Sequence, residues 1–338
     1  MKLIPPTVAE ATRLVRQGRL AEATALLRGA APAAPPVQVL RSQPAPAKRK
    51  VPLGGLRVTP PQGARFEAHT FRNELGERPY KLFIPSSFDG GPAPLIVMLH
   101  GCTQSPDDFA VGTRMNAQAE TRGFLVVYPG QTSSANPQRC WNWFAADDQR
   151  RGAGEPGIIA GIVQAVAAQH AVDTSRVFVA GLSAGAAAAT TLGALYPDVF
   201  AAVGVHSGLP SGAARDLGSA LAAMQGGAVG TTLDDASGLP TIVFHGDRDA
   251  MVNPVNGDHV VAQAHGKAKL AERVETGSTN GRSFTRRQRT DAKDRVVLEQ
   301  WVVHGGGHTW FGGDPAGSHT DAGGPNASAE MVRFFLDR

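Results

Sequence analysis

The run Val177-Phe178-Val179-Ala180-Gly181-Leu182-Ser183-Ala184-Gly185-Ala186-Ala187-Ala188-Ala189 decides the architecture. It opens on an apolar stretch rich in β-branched residues, which reads as a buried strand. Gly181-x-Ser183-x-Gly185 follows, and then an alanine-rich run that reads as a helix. A strand turning sharply into a helix at G-x-S-x-G is a nucleophile elbow: the serine sits on a strained turn and its hydroxyl projects above the sheet. A Cβ at either glycine would collide with a neighbouring element. The helix N-terminus aims its N–H groups at the place where an oxyanion would form.

Outward from this stretch, strands and helices alternate. Tyr80–Ile84, Leu95–Leu99, Phe124–Tyr128, Arg176–Ala180, Ala201–His206, Thr241–His245 and Val296–Val303 read as strands. Met115–Thr121, Gly157–Gln169, Ala184–Tyr196 and a closing segment containing Met331–Leu336 read as helices. Apolar strands separated by helices imply an α/β fold, a mostly parallel central sheet with helices on both faces. Reactive residues then belong at the carboxyl ends of the strands.

The N-terminal part reads differently. Thr7-Val8-Ala9-Glu10 has the form of a capping box, and Val8, Ala11, Leu14 and Val15 recur at helical spacing. Gly18 interrupts, Leu20, Ala23, Thr24 and Leu27 form a second stripe, and Gly29 stops it. The expectation is a helical hairpin over 1–29 that docks on its own catalytic domain or on a second copy, a Pro/Ala-rich linker over 30–60 and a catalytic domain over 61–338. An adaptor role for the hairpin is the alternative.

Composition excludes several classes. With 42% hydrophobic and 18% charged residues the chain can build a packed core. A net charge of +4 with no nucleic-acid motif gives no reason to expect nucleic acid as a partner. No apolar run is long enough for a membrane span. Met1-Lys2-Leu3-Ile4-Pro5-Pro6 lacks the apolar core of a secretory signal, which reads as a cytoplasmic protein or a secreted one whose signal has been removed. Two cysteines, Cys102 and Cys140, are too few for a disulfide scaffold and show no metal-ligand spacing.

A nucleophilic serine needs a base and a group that orients the base, and behind an elbow of this kind the chain order is Ser, Asp or Glu, His. After Ser183 the next strand end with carboxylates is Gly246-Asp247-Arg248-Asp249, and the last strand runs into Gly305-Gly306-Gly307-His308-Thr309-Trp310. Asp249 has one more step of reach than Asp247, which follows the turn glycine directly. His308, on a glycine-rich loop, is the base; His304, at the strand's end, is its competitor. His259 and His265 fall in a helix and read as surface residues, while His319 is a candidate for the pocket lining. Asp314, His319 and Asp321 with His308 imitate a metal cluster, but the spacing fits no zinc motif, so neither metal nor other cofactor is expected. The oxyanion donors are the N–H of Ala184 and, from the His100-Gly101-Cys102 loop, that of Cys102; losing one such donor typically costs about 3–4 kcal/mol of transition-state stabilisation. Trp141, Trp143 and Trp310 flank these elements and suit an apolar acyl or polymer chain, whereas Trp301 reads as core.

Leu99-His100-Gly101-Cys102-Thr103-Gln104, Cys140-Trp141-Asn142-Trp143, Gly181-Leu182-Ser183-Ala184-Gly185, His245-Gly246-Asp247-x-Asp249 and Gly307-His308-Thr309-Trp310 occur in this order. Together, from about residue 66 onwards, they resemble the polyhydroxybutyrate depolymerase family of esterases, relatives of feruloyl and acetylxylan esterases. The resemblance implies an α/β-hydrolase fold and a serine carboxylesterase acting on an ester or polyester. It implies Ser183 as nucleophile, Asp249 as orienting acid, His308 as base and Cys102 with Ala184 at the oxyanion hole. It also allows an extracellular location. Ala186 stands where the family often has a further glycine. A feruloyl- or acetylxylan-type esterase is the alternative, and a non-catalytic polymer- or partner-binding protein on a hydrolase fold is the alternative of another class. The segment Leu209–Leu239 is a candidate lid. Finally, Cys102 and Cys140 are expected to be disulfide-bonded: they are the only cysteines, each lies beside a proposed site segment, and the bridge would fix the oxyanion donor against the aromatic segment.

Overall fold

The computed structural model describes residues 58–227, 238–266 and 268–337, together with Glu10, Ala11, Arg13, Leu14, Glu22, Ala23 and Leu26. The chain divides into two compact units, Met1–Arg57 and Val58–Arg338. In the first, all seven described residues are helical, with Ala11, Leu14 and Ala23 buried. Arg13 binds Glu10 one helical turn back, with Nε to Oε2 at 2.8 Å. The cap at Thr7, the interruption at Gly18, the stop at Gly29 and the linker up to residue 57 lie outside the described residues.

The second unit is built on one sheet. Its strands are β1 (Arg65–Asn73), β2 (Gly76–Ile84), β3 (Ala93–Leu99), β4 (Leu125–Pro129), β5 (Val172–Leu182), β6 (Ala202–His206), β7 (Thr241–Gly246), β8 (Ala271–Thr279), β9 (Arg282–Thr290) and β10 (Val296–Val303). The spatial order is β1-β2-β4-β3-β5-β6-β7-β10-β9-β8. From β4 to β10 every pairing is parallel. The pairings β1–β2, β2–β4, β10–β9 and β9–β8 are antiparallel. The sheet is mostly parallel, as expected, with an antiparallel hairpin at each edge. A separate two-stranded ladder, β11 (Trp310–Phe311) with β12 (Thr320–Asp321), follows β10.

Alternation of side chains across the central strands builds two cores. Leu95, Val97 and Leu99 of β3 point into one, with Ile158, Ile162 and Val166 of α3 (Gly154–Gln169), the alanines of α4 (Ala184–Leu195) and Val260 and Val261 of α6 (Val255–His265). Ile96 and Met98 of the same strand point into the other. Its further members are Phe109 of α1 (Pro106–Thr113), Met115 and Ala119 of α2 (Met115–Arg122) and Met331, Val332 and Phe335 of α7 (Ala327–Leu336). Trp301 on β10 lies in this second core, 4% exposed, as its strand position suggested. The remaining helix, α5 (Leu217–Gly226), is tied to the start of α6: Asn256 Nδ2 donates to Ala223 O at 3.0 Å and Asn253 N to Met224 O at 2.7 Å. It belongs to the segment read as a candidate lid, of which residues 228–237 lie outside the described residues.

Candidate active site

β5 delivers Ser183 into a backbone conformation that L-residues rarely adopt, φ 57° and ψ −120°. The turn is fixed from both sides: Ser183 N donates to His206 O on β6 at 2.9 Å, and Ala187 N to Ser183 O at 3.0 Å. A Cβ on Gly181 would lie 2.4 Å from the Gly185 carbonyl carbon, and one on Gly185 only 2.1 Å from Leu99 O. No side chain fits either gap, so the two glycines are what lets α4 start directly against β3. Because α4 begins at Ala184, the Ala184 N–H is one of the donors that a helix start leaves without an intrahelical acceptor.

The β7 and β10 loops bring Asp249 and His308 together. Arg248 N donates to Gly306 O at 2.9 Å and Asp247 N to Val303 O at 3.1 Å, and a Cβ on Gly246 would meet Gly306 O at 2.2 Å. In this arrangement His308 Nδ1 donates to Asp249 Oδ2 at 2.7 Å. Asp249 Oδ1 accepts from Met251 N and Val252 N, each at 2.9 Å. Burial by itself raises this carboxyl. The contacts with His245 and His308 outweigh burial and hold it well below the usual carboxylate range. Asp249 is thus an anion with its lone pairs committed. With Nδ1 of His308 taken, Nε2 is the nitrogen left to accept a proton.

The competing pair is also real, but it sits elsewhere. His304 Nδ1 donates to Asp247 Oδ2 at 2.9 Å, Gly305 N donates to Asp247 Oδ1 at 2.7 Å, and Thr285 Oγ1 lies 2.9 Å from His304 Nε2. His304 is thereby tied to β9, and its pair straps the β7 turn to the β10 loop.

The loop after β3, which carries Cys102, is closed by Gln104, whose Oε1 accepts from Gly101 N at 2.9 Å and whose Nε2 donates to Ser318 O at 3.0 Å. Cys102 is disulfide-bonded to Cys140, with the two Cα atoms 4.2 Å apart. Trp141 Nε1 donates to His100 O at 3.1 Å and the ring is fully enclosed. Trp310, 1% exposed, donates from Nε1 to Ser328 Oγ at 3.1 Å and stacks on His206. Trp143 is 7% exposed, edge-on to Phe144. This differs from the expectation that all three line the cleft. Each of Trp141 and Trp310 finds a buried acceptor for its indole N–H, so these two rings support the loops from behind instead of facing a substrate.

Two supporting groups went unnoticed in the sequence. Glu155, buried in the first turn of α3, accepts from Asn142 N at 2.7 Å and Asn142 Nδ2 at 2.9 Å, from Gln131 Nε2, and from Arg78 Nη2 at 3.3 Å. It anchors the segment that carries Cys140. His206, fully buried at the end of β6, accepts from Phe311 N at 3.2 Å and so fixes the loop behind His308. Burial, and then the neighbouring His245 and His308, push its imidazole well below the ordinary histidine value. The only signal for either was a polar residue at the edge of an apolar run.

Among the described residues, no group of three or more His, Cys, Asp or Glu side chains is gathered for a metal ion. Asp321 binds Arg282, with Oδ2 to Nε at 2.9 Å, and Asp314 Oδ1 accepts from Ala316 N at 3.0 Å. Nor is any helix among these residues long and apolar enough to cross a membrane.

A parallel-centred sheet, a strained serine between β5 and α4, and an Asp–His pair on the loops after β7 and β10 define the α/β-hydrolase fold. An acetyl xylan esterase from Aspergillus awamori superposes with a TM-score of 0.58 at 20% identity, over 80% of this chain and 98% of that one. The family model described as Esterase PHB depolymerase matches residues 78–281, and the chain belongs to that family. Poly(3-hydroxyalkanoate) depolymerase C of Paucimonas lemoignei is 35% identical over 267 residues, which are 75% of this chain and 62% of that protein. Feruloyl esterase B of Thermothelomyces thermophilus is 33% identical over 152 residues, 44% of this chain and 51% of the relative. Acetylxylan esterase A of Emericella nidulans is 33% identical over 144 residues, 41% and 46% respectively. The chain therefore spans about half to three fifths of the length of these curated relatives.

Proposed function

We propose that the protein is a serine carboxylesterase that cleaves polyhydroxyalkanoate-type polyesters or their oligomers through an acyl-enzyme. The observation that carries this reading is the 2.7 Å His308–Asp249 bond on the loops after β10 and β7, at the same end of the parallel strands as a serine at φ 57°. Ser183 Oγ attacks the ester carbonyl while His308 Nε2 takes its proton, and the N–H groups of Cys102 and Ala184 hold the oxyanion. Collapse of the tetrahedral intermediate breaks the bond to the alcohol oxygen, which leaves with the proton from His308. A water molecule activated by the same imidazole then releases the acid and restores Ser183. Asp249 stays ionised throughout and keeps the imidazole in the tautomer that exposes Nε2.

The 35% identity over three quarters of the chain to a poly(3-hydroxyalkanoate) depolymerase supports the polyester as substrate over a feruloyl or acetyl sugar ester. The serine, acid and histidine are all present, which speaks against a non-catalytic binding role. The disulfide suits an oxidising compartment. Self-association through residues 1–29 is part of this reading too, and the solution mass of the full chain tests it. The main test is a hydrolysis panel of p-nitrophenyl butyrate, hydroxybutyrate oligomers, a ferulate ester and acetylated xylan, run with the wild type and Ser183→Ala. Hydrolysis of the short ester and the oligomers, lost in Ser183→Ala, is expected. A Ser183→Ala variant with near-native kcat would refute the mechanism, and preference for the sugar esters would transfer the substrate assignment.

A further inference from the structure

Hydrogen-bond donors that the triad does not use collect on either side of Thr103, the residue directly after Cys102. On one side is Arg139, directly before Cys140. Its Nη2 donates to Thr103 O at 2.8 Å, and Thr103 N donates back to Gln138 O at 2.7 Å. Arg139 takes a left-handed backbone conformation, φ 52°, in a turn closed by its own N–H to Asn136 O at 2.8 Å. Asn136 Oδ1 further accepts from Gln138 N at 2.9 Å and Cys140 N at 3.3 Å, and the disulfide ties the turn to Cys102. The guanidinium is therefore held at the oxyanion loop from a fixed base. Among the described residues it has no carboxylate partner, and only one of its nitrogens is hydrogen-bonded.

On the other side is His319, at φ 53° in the bend directly before β12. Its main-chain oxygen accepts from Trp310 N at 2.8 Å, and its Nε2 lies 3.4 Å from Thr103 Oγ1. Partial desolvation and then the adjacent His308 lower its affinity for a proton, so at neutral pH the ring is uncharged and carries a single N–H. Asp108, whose charge acts on His319, accepts from Ser318 N through Oδ1 at 2.8 Å and from Ser318 Oγ through Oδ2. Thr103 and His319 are both exposed. The rim beside the proposed oxyanion donor thus carries a guanidinium cation and, from the Thr103–His319 pair, one further O–H or N–H donor, while the Asp108 carboxylate is hydrogen-bonded to Ser318.

Such a rim is complementary to an anion. A short oligomer of a hydroxy acid carries one at its end, a few bonds from the last ester, whereas a neutral ester or a sugar acetate carries none. Resting on the esterase reading above, we propose that Arg139, with Thr103 and His319, binds the free carboxylate of hydroxyalkanoate oligomers and gives the protein a preference for carboxylate-ended substrates.

The test compares kcat/KM for the dimer of 3-hydroxybutyrate as free acid and as its methyl ester, in wild type, Arg139→Gln and Arg139→Lys. Gln keeps a donor for Thr103 O and Lys keeps the charge. The wild type should prefer the acid, and added salt should erode that preference. The acid-to-ester ratio should fall about ten-fold in Arg139→Gln, mainly through KM, and only in part in Arg139→Lys. Loss on both substrates with the ratio within about two-fold of wild type overturns the proposal, because a residue that merely braces the loop costs both equally. A wild type that cleaves the methyl ester as well as the acid at low salt overturns it too and leaves the esterase reading standing. A wild type that cleaves neither dimer nor p-nitrophenyl butyrate brings down both.

Discussion

Asp247 and Asp249 stand two residues apart on one turn, and each holds a histidine by Nδ1. The difference between them is environment. The Asp249 side chain is fully buried and its histidine nearly so, while the Asp247 pair is open to solvent. Asn at position 249 keeps the shape but donates where a carboxylate accepts, and so favours the wrong imidazole tautomer. Asp249→Asn is therefore expected to lower kcat on a soluble ester by about 10³-fold or more, and Asp247→Asn by far less, with the steady-state rates of the two purified variants as the measurement. A larger loss in Asp247→Asn would place the strap, not the buried pair, in the mechanism. The strained turn at Ser183, its two close-packed glycines and the pairing of Asp249 with His308 were legible in the sequence, because they follow from what a strand-end nucleophile requires. The tryptophans were not. A Trp beside a site motif reads the same whether its N–H faces a cleft or a buried carbonyl, and only the fold supplies Ser328 Oγ and His100 O as the partners.

Among the elements, the central strands were readable because burial on both faces makes them continuously apolar. Val296–Val303 has the same bounds in sequence and structure. α3 starts three residues earlier than its apolar stripe, at Gly154, since Glu155 and Pro156 are both acceptable in a first turn. The β8–β9 hairpin gave no hydrophobic signal. Its inward side is secured by charge: Arg286 Nη2 and Gln288 Nε2 reach the buried Glu299 of β10 at 3.1 and 2.9 Å. The available clue was Asn280-Gly281, both at positive φ, the dipeptide of a tight hairpin turn. The loops after β3 and β4 depend on the disulfide in a way that can be measured. The bridge closes 38 residues of chain, worth about 4 kcal/mol by loop entropy. Reduction is expected to lower both the melting temperature and kcat on p-nitrophenyl butyrate, because the Cys102 donor loses one of its fixings. A lower melting temperature with unchanged kcat, followed with and without reductant, would mean that Gln104 and Trp141 hold the donor unaided.

The whole molecule carries a set of buried acids and bases that couples its stability to pH. His100 donates from Nδ1 to Gly101 O at 2.8 Å and accepts at Nε2 from Gln131 N at 3.1 Å. Burial lowers its pKa from 6.5 to about 4. The unfolded chain then takes up a proton on this ring first, so stability present above pH 6.5 drains away towards pH 4, by about 3 kcal/mol in all. His206 acts in the same direction. Asp148 opposes them: burial, and next the Glu155 carboxylate, raise it from 3.8 to about 6, so the folded state holds a proton there that the unfolded state gives up, and acid favours folding. The melting temperature is expected to fall as pH drops from about 7 to about 4.5, and to fall more steeply in Asp148→Asn, in which the opposing group is gone. A flat profile in the wild type, or a shallower one in the variant, would contradict this balance.

The paired aspartate–histidine contacts have a use in spectroscopy. Both imidazoles are bound through Nδ1 to a carboxylate oxygen, at 2.7 and 2.9 Å, but the side chains of one pair are 14% and 0% exposed and those of the other 41% and 37%. A proton held in such a bond resonates far downfield, and how long it survives exchange with solvent depends on its shielding from water. The chain therefore contains its own exchange control. The His308 proton should give a sharp line and the His304 proton a broad one in the same spectrum. Any ligand that closes over the cleft should slow the exchange of the first while leaving the second unchanged.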